Sequence, residues 1–564
     1  MNTRALAAPV HSGLNTERLL QQALLWLGAA FLTLFLFLPL LVMLQKSLQN
    51  AEGKFVGLAN FASYFSNPAL SQSIYNSLFI ASTTTAVVVS SAFVVAYALT
   101  RSQMMAKKPI KFIANLPLFA PSLLPALSLI YLFGNQGVLK TWLPVESIYG
   151  PFGIVLGLSF WLFPHALMIL VAAFGNSDAR LYEAASALKT PPWRVFLTVT
   201  LPGVRYGLVN TVFVCFTLAV TDFGVAKIIG GQYNVLATDI YKQVIGQQNF
   251  EMGAVVSVIL LLPALLSFWV ERRVQRHQSA QLNARASVYK SAPHPLRDIT
   301  LFSICACICI FLLGVIAMAI YASLVTFWPY NLSLSLANYQ FDMMDGGGWA
   351  SYRNSLMMAS LVALFGTVLI FTLAYLNEKL TPLPLLRRVL HFLAMLPMAI
   401  PGLVLGLAYI FFFNAPSNPL NFLYATLTIL VINTLIHFYT VCHLTCTTSL
   451  KQLDSEFEAV SASLKVPFYV TFKRVTLPLC LPTVLDVSMY LFINALTTVS
   501  AVVFLYSADT TLASVAIMNM DEAGDTAPAA AMAVLLMGTA LAVKGMHWLL
   551  SFKLVQQTQR WRRA

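Results

Sequence analysis

Twelve runs of mostly apolar residues alternate with short polar stretches, near 24–46, 74–100, 112–134, 151–175, 206–230, 252–271, 299–325, 354–376, 389–413, 421–447, 482–506 and 527–550. A helix needs about 20 such residues to cross a hydrocarbon layer ~30 Å thick. Its backbone groups must pair within the segment, because lipid offers them no partner. The runs are continuous rather than alternating between apolar and polar, which excludes the strand pattern of a membrane β-barrel. The pattern predicts an all-α integral membrane protein with twelve transmembrane helices.

Composition agrees: 58% of residues are hydrophobic, 10% are charged, and mean hydropathy is +0.75. Lysine and arginine cluster in alternate loops, at Arg101–Lys111, Arg180–Arg205, Arg272–Arg297, Lys379–Arg388, Lys451–Arg474 and Lys553–Arg563. The other loops hold little beyond Lys54, Lys140, Lys242 and Arg353. Basic residues stay on the cytoplasmic side of a membrane, so both termini are expected to be cytoplasmic. The first apolar run exceeds the core of a signal peptide, and an uncleaved first span is expected. This one-sided distribution accounts for the net charge of +13 with membrane lipid as the partner and without nucleic acid. Cys305, Cys307 and Cys309 imitate a metal-binding cluster, but residues two apart do not share a helix face. Small apolar filler is the better reading, and no metal site is expected.

The chain repeats itself. Leu58-Ala-Asn-Phe61 answers Leu336-Ala-Asn-Tyr339, Asn76-Ser-Leu78 answers Asn354-Ser-Leu356, and Leu116-Pro117 with Pro121 answers Leu396-Pro397 with Pro401. A repeat of this length means two copies of one six-span unit. Six is even, so the copies enter the membrane in the same orientation, as a parallel repeat. The basic stretch Glu271–Arg297, with Pro293 and Pro295, reads as a tether between them.

The longest match is polar. Asp178-Ala-Arg-Leu-Tyr-Glu-Ala-Ala-Ser-Ala-Leu-Lys189-Thr-Pro191 and Val199-Thr-Leu-Pro202 answer Asp454-Ser-Glu-Phe-Glu-Ala-Val-Ser-Ala-Ser-Leu-Lys465-Val-Pro467 and Val475-Thr-Leu-Pro478. Lys465 follows Lys189, and Pro478 follows Pro202, by 276 positions. Asp178 and Asp454 suit a helix N-cap. The Ala-, Leu- and Glu-rich residues after them favour helix, and Pro191 and Pro467 end it. Each copy therefore predicts a helix–break–helix elbow on the cytoplasmic face. The turns Ala184-Ala185-Ser186 and Val460-Ser461-Ala462 are expected to enter a groove on another protein. The alternative is an amphipathic helix that touches only headgroups.

This loop resembles the EAA signature of binding-protein-dependent ABC importer permeases, whose fold is the type I transmembrane domain. The resemblance covers nearly the whole chain, and two-half permeases of this kind resemble the ferric-iron and thiamine group. It implies a first such domain at 74–271 and a second at 354–552. Around them would lie an N-terminal tail, first helix and outer loop at 1–73, a cytoplasmic linker at 272–298, the seventh helix and outer loop at 299–353, and a basic tail at 553–564. It also implies that the loops are coupling helices seated in two copies of a separate ATPase. An extracytoplasmic substrate-binding protein would dock on outer loops such as 48–73, 232–250, 326–353 and 507–526, and the complex would sit in a bacterial inner membrane. The coupling positions carried over are Asp178, Glu183, Ala184, Ala185, Lys189, Leu201 and Pro202, then Asp454, Glu458, Ala459, Lys465, Leu477 and Pro478. In register, Ala459 stands where the signature Glu is expected and Glu458 precedes it. Lys189 and Lys465 stand where the family usually has Gly. The chain has no phosphate-cradling Gly-x-x-x-x-Gly-Lys-Ser/Thr loop, so it is expected not to be an enzyme, to bind no cofactor, and to meet ATP and Mg only through the partner ATPase.

Ionisable residues inside spans are candidates for a substrate pathway, because lipid makes them costly. Asp222 in Thr221-Asp-Phe-Gly224 is the clearest case, and the second half has the uncharged Thr497, Thr498 and Val499 there. Capping a broken helix is its alternative role. Thr221, Lys227 and His165 join it as pathway candidates; His165, like His437 and His443, has a buried, hydrogen-bonded histidine as its other and preferred reading. The stretch Thr221–Phe250 and the segment Met520–Pro528 resemble fused permeases for 2-aminoethylphosphonate. By that resemblance Asp222 and Lys227 would meet the amine and phosphonate ends. Ferric iron, thiamine and polyamine are alternative cargoes. A secondary transporter of the major facilitator type is the rival class, but the loop Arg101-Ser-Gln-Met-Met-Ala-Lys-Lys108 lacks that family's signature.

Overall fold

The computed structural model describes residues 12–142, 145–175, 179–279, 291–380, 383–454 and 456–558. Among the described residues the named elements are helical except for one antiparallel hairpin, Val325–Phe327 with Asn331–Leu334, in the loop after the seventh span. Among the described residues, eight helices are long and apolar enough to cross a membrane: Glu17–Ser47, Pro68–Arg101, Pro151–Gly175, Pro192–Thr221, Phe250–Val270, Pro295–Leu324, Gly348–Lys379 and Thr526–Phe552. Four bent pairs bring the total to twelve.

The bends depart from the straight spans expected. The third span folds by 106° between Lys107–Phe119 and Leu123–Phe133, and the ninth by 115° between Pro384–Ala399 and Gly402–Phe413. Prolines are the cause. Ala120 (φ −87°, ψ 137°) and Ile400 (φ −109°, ψ 116°) are extended because Pro121 and Pro401 follow them. The eleventh span breaks by 76° between Phe468–Leu479 and Leu481–Thr497. Pro482, which has Tyr206 as its counterpart, removes a helix donor there. The tenth bends by 54° at Phe438. The runs 206–230 and 482–506 are not single helices either: they stop at Thr221 and Thr497 and continue as a short buried helix, Gly224–Ile229, and as turns over 500–505.

The halves exchange their first helices. The first span packs on the eighth and ninth, and the seventh packs on the second and third. Gly28 permits the close approach: a Cβ there would lie 2.3 Å from Leu373 Cδ2. Phe35 stacks on Phe413 at 5.8 Å, and Tyr409 Oη donates to the Phe35 carbonyl at 2.6 Å. The sixth span touches the ninth and the twelfth touches the third, so the interface follows the repeat.

Two of the repeated motifs acquire a structural meaning. Asn60 Nδ2 donates to the Ser47 and Gln49 carbonyls at 3.1 and 2.7 Å, and Asn338 repeats this on Ser323 and Val325 at 3.1 and 2.7 Å. Each asparagine ties the loop that carries it to the end of its half's first span. In the second motif, Asn76 donates to the Asn234 carbonyl at 2.8 Å and Asn354 to that of Asp509 at 2.9 Å. The neighbouring Ser77 and Ser355 accept from the N–H groups of Leu236 and Ala513 at 2.8 and 2.7 Å. They satisfy donors that helix starts leave orphaned.

Candidate functional site

The two elbows have the same backbone. Ala179–Ala187 and Glu456–Ser463 are the first helices; Pro192–Val195 and Phe468–Thr471 begin the second. Asp454 accepts from the Glu456 N–H at 3.0 Å, while Asp178 lies outside the described residues. Each first helix ends in a left-handed residue, Lys189 at φ 51° and Lys465 at φ 52°. The Thr190 N–H reaches the Ala185 carbonyl at 3.0 Å, and the Val466 N–H reaches that of Ser461 at 2.9 Å. These six-to-one bonds are Schellman closures. Both lysines thus adopt a left-handed conformation that favours glycine.

A widened turn follows in each copy, Phe196–Thr200 and Phe472–Thr476, leading into Leu201-Pro202 and Leu477-Pro478. Pro202 and Pro478 have no N–H for the normal helical bond, and the Leu201 and Leu477 N–H groups bond five residues back to Phe196 and Phe472.

The faces of the first helix divide cleanly. Ala185 is buried against its own half, which corrects its expected place in a partner's groove; Glu183, Ala184 and Ser186 are exposed. Tyr182 is also turned inward. Arg101, at the end of the second span, sets its guanidinium carbon 5.0 Å from the Tyr182 ring and its Nε 3.3 Å from Tyr182 Oη. Tyr182 Oη in turn donates to Thr200 Oγ1 at 3.1 Å. The second half uses an ion pair in the same place: Lys379 Nζ and Glu458 Oε1 are 3.0 Å apart, and Lys379 also donates to the Leu453 carbonyl at 3.3 Å. Glu458 is therefore the counterpart of Tyr182, an anchor of the elbow, and does not take the exposed place of Glu183; Ala459 does, and it is exposed.

Sequence reasoning missed the outward apolar patch. Leu181, Leu188 and Trp193 are 55%, 79% and 67% exposed, and their counterparts Phe457, Leu464 and Tyr469 are 43%, 69% and 54% exposed. Their signal was an apolar residue in register in an otherwise polar repeat.

At the other end of the fifth span, Asp222 Oδ1 accepts from the Val225 N–H at 3.0 Å and caps the helix Gly224–Ile229. Thr221 Oγ1 bonds back to the Thr217 carbonyl at 2.8 Å. His165 Nδ1 lies 3.3 Å from the Trp161 carbonyl of its own helix, and no contact among the described residues joins it to Asp222. His437 and His443 are not the hydrogen-bonded histidines expected: His437 Nδ1 and both His443 ring nitrogens are buried without a partner among the described residues.

Lys227 is not free to receive an anion. Its Nζ is 2.5 Å from Glu522 Oε1 of the second half and 4.6 Å from the centre of the Tyr241 ring. Tyr241 stacks across the interface on Phe504 at 6.2 Å, and Tyr131 Oη shares a hydrogen bond with Thr526 Oγ1 at 2.8 Å. Beside this junction, burial pushes the Asp521 carboxyl up to about 6; Glu522 adds to the rise and Lys227 opposes it. Glu522 and Asp521 lie in the Met520–Pro528 segment, but sequence alone gave no cue that they face Lys227.

The described residues thus form a two-half helical bundle of up to twelve candidate spans, with exchanged first helices, broken third spans and a pair of matching elbows. The chain belongs to the family described as "Binding-protein-dependent transport system inner membrane component", whose profile matches residues 89–279 and 380–556. It is 27% identical over 477 residues to the ferric transport system permease protein FbpB of Actinobacillus pleuropneumoniae, covering 81% of this chain and 68% of that one. It is 28% identical over 445 residues to the putative ferric transport system permease protein FbpB 1 of Haemophilus influenzae, covering 75% and 68%. Among solved structures, a bacterial ABC transporter that imports the acidic polysaccharide alginate matches 47% of this chain and 99% of its own, at 16% identity and a TM-score of 0.39.

Proposed function

We propose that this chain forms the transmembrane pathway of an ABC importer, worked by two copies of a separate ATPase that seat on the two elbows and supplied by an extracytoplasmic binding protein. The observation that carries this reading is the duplicated elbow, with one backbone, one Schellman closure and one exposed apolar triplet 276 positions apart. Exposed apolar patches of this kind mark contact with another protein. Closure of the two ATPase copies on ATP would push both elbows, and the exchanged first helices would carry the movement across the bundle. The outer junction at Lys227 and Glu522 would then part to admit cargo.

The proposed cargo is 2-aminoethylphosphonate, on the resemblance of Thr221–Phe250 and Met520–Pro528 and on the two signs of charge gathered at the outer junction. When the Lys227–Glu522 pair opens, an ammonium can meet Glu522 and Asp521 while a phosphonate meets Lys227. Ferric iron is the second reading, favoured by the two ferric permease relatives. The test is reconstitution with the cognate ATPase and binding protein, reading ATPase stimulation with each ligand. Stimulation by ferric iron and none by the aminophosphonate would overturn the first reading. Leu188→Asp with Leu464→Asp should abolish co-purification of the ATPase; retained binding would overturn the docking role.

A further inference from the structure

Phe468 opens the second helix of the second elbow, and its N–H has no helical acceptor at that position. The acceptor it finds is distant in sequence: Glu17 Oε1 at 2.8 Å. Glu17 begins the first span, the helix that crosses from the first half to pack on the eighth and ninth spans. In the first elbow the equivalent residue, 276 positions earlier, is Pro192. Proline has no N–H, so the first elbow carries no such donor and needs no such acceptor.

The opposite side of the molecule is tied differently. Asp298, at the start of the seventh span, accepts from the Gln103 N–H at 3.2 Å, and Ser291 Oγ donates to the Arg101 carbonyl at 2.8 Å. Arg101 holds Tyr182 of the first elbow. Each exchanged helix is thus fastened at its cytoplasmic end near the elbow of the half it embraces, through Arg101 on one side and directly to the elbow backbone on the other.

We propose that Glu17 is a positioning residue for the second coupling elbow, holding it to the exchanged first helix so that movement of the elbow and of that helix are one movement. The proposal rests on the reading of the elbows as ATPase seats. It makes a demand that a merely structural role for Glu17 does not: its importance must vanish when the Phe468 N–H is removed.

The experiment compares Glu17→Ala in two backgrounds, Phe468→Ala, which keeps the N–H, and Phe468→Pro, which deletes it as Pro192 does. Each full-length permease is reconstituted with ATPase and binding protein, and the ratio of substrate-stimulated to basal ATPase activity is measured. In the Phe468→Ala background Glu17→Ala should lower that ratio several-fold; in the Phe468→Pro background it should change it less than twofold. Equal effects in both backgrounds, large or small, overturn the proposal. Hydrogen exchange on the permease alone gives a readout independent of the ATPase. Glu17→Ala should speed exchange of the Phe468 amide at least tenfold, and Glu17→Gln, which retains an acceptor oxygen, should not. Unchanged exchange in Glu17→Ala overturns the proposal. Accelerated exchange with no ATPase docking in any variant refutes the elbows as seats and with them the coupling role, leaving Glu17 as a structural tether only.

Discussion

Lys189 and Lys465 sit in the left-handed region at φ 51° and 52°, where a side chain costs roughly 1–2 kcal/mol and glycine nothing. The Schellman closure demands that conformation whatever residue stands there. Lys189→Gly and Lys465→Gly should therefore each stabilise their elbow by about 1 kcal/mol, seen as slower hydrogen exchange at Thr190 and Val466; faster exchange would contradict the account. Asp239 carries a second residue-scale prediction. It is 3% exposed, its Oδ2 has no partner among the described residues, and burial lifts its carboxyl from 3.8 to about 6 against the Ser73 hydroxyl and Lys242. A carboxyl raised in the folded state opposes folding above its folded value, and that opposition is relieved as pH falls from about 6 towards 4. A two-unit shift corresponds to at most about 2.7 kcal/mol. Asp239→Asn should raise the thermal midpoint at pH 7.5 and flatten its change between pH 4 and 6. A variant that follows the parent's pH curve over that window would remove Asp239 as its source.

At the scale of elements, each broken third span nests against the break that follows the fifth span of its half, and the two nests exchange their residues. A Cβ on Gly224 would lie 2.4 Å from Ser122 Oγ; a Cβ on Gly402 would lie 2.6 Å from Ser500 Oγ. Glycine and serine have traded sides between the copies. Overpacking such a contact costs about 1–3 kcal/mol. Gly224→Ala should lower the thermal midpoint and Ser122→Gly should restore it, because the obstacle is a side chain. Gly402→Ala should be rescued less well by Ser500→Gly, since its Cβ also meets the Ala501 backbone nitrogen at 3.0 Å. Equal rescue in both halves would show that the backbone yields. The repeat itself was legible in the sequence, as were the apolar runs, the elbows and their proline stops, because each depends on local chemistry. Pro121, Pro401 and Pro482 were visible too, yet continuous apolar runs hid the bends they impose. The anchoring role of Glu458 was hidden differently: its meaning depends on Lys379, 79 positions earlier, and no local rule links them.

At the scale of the whole molecule, the interface has fastenings at Glu17 and Asp298 at the end that carries the elbows, and a junction at Lys227–Glu522 elsewhere. The Lys227–Glu522 pair is 2.5 Å long, but its side chains are 20% and 44% exposed, so solvent screens it and it is worth no more than about 1 kcal/mol. On the proposed mechanism, a weak closure suits a mouth that opens in every cycle. If the pair favours the closed mouth, removing it shifts the balance between closed and open by at most about fivefold, since 1.4 kcal/mol is a factor of ten. Lys227→Ala in the reconstituted complex should therefore raise ATPase activity without binding protein by about two- to fivefold. Glu522→Ala should do the same, and the double variant should go no further, because one interaction cannot be lost twice. Additive effects would mean that the two residues act through separate contacts, Lys227 through the Tyr241 ring and Glu522 through Asp521. The reversed pair, Lys227→Glu with Glu522→Lys, separates these cases further. It restores the attraction across the mouth but puts a carboxylate over Tyr241 and a lysine beside Asp521. Return to the parent's basal activity would identify the cross-half charge pair as what holds the mouth shut, and failure to return would show that the Tyr241 and Asp521 surroundings require the native sign at each position.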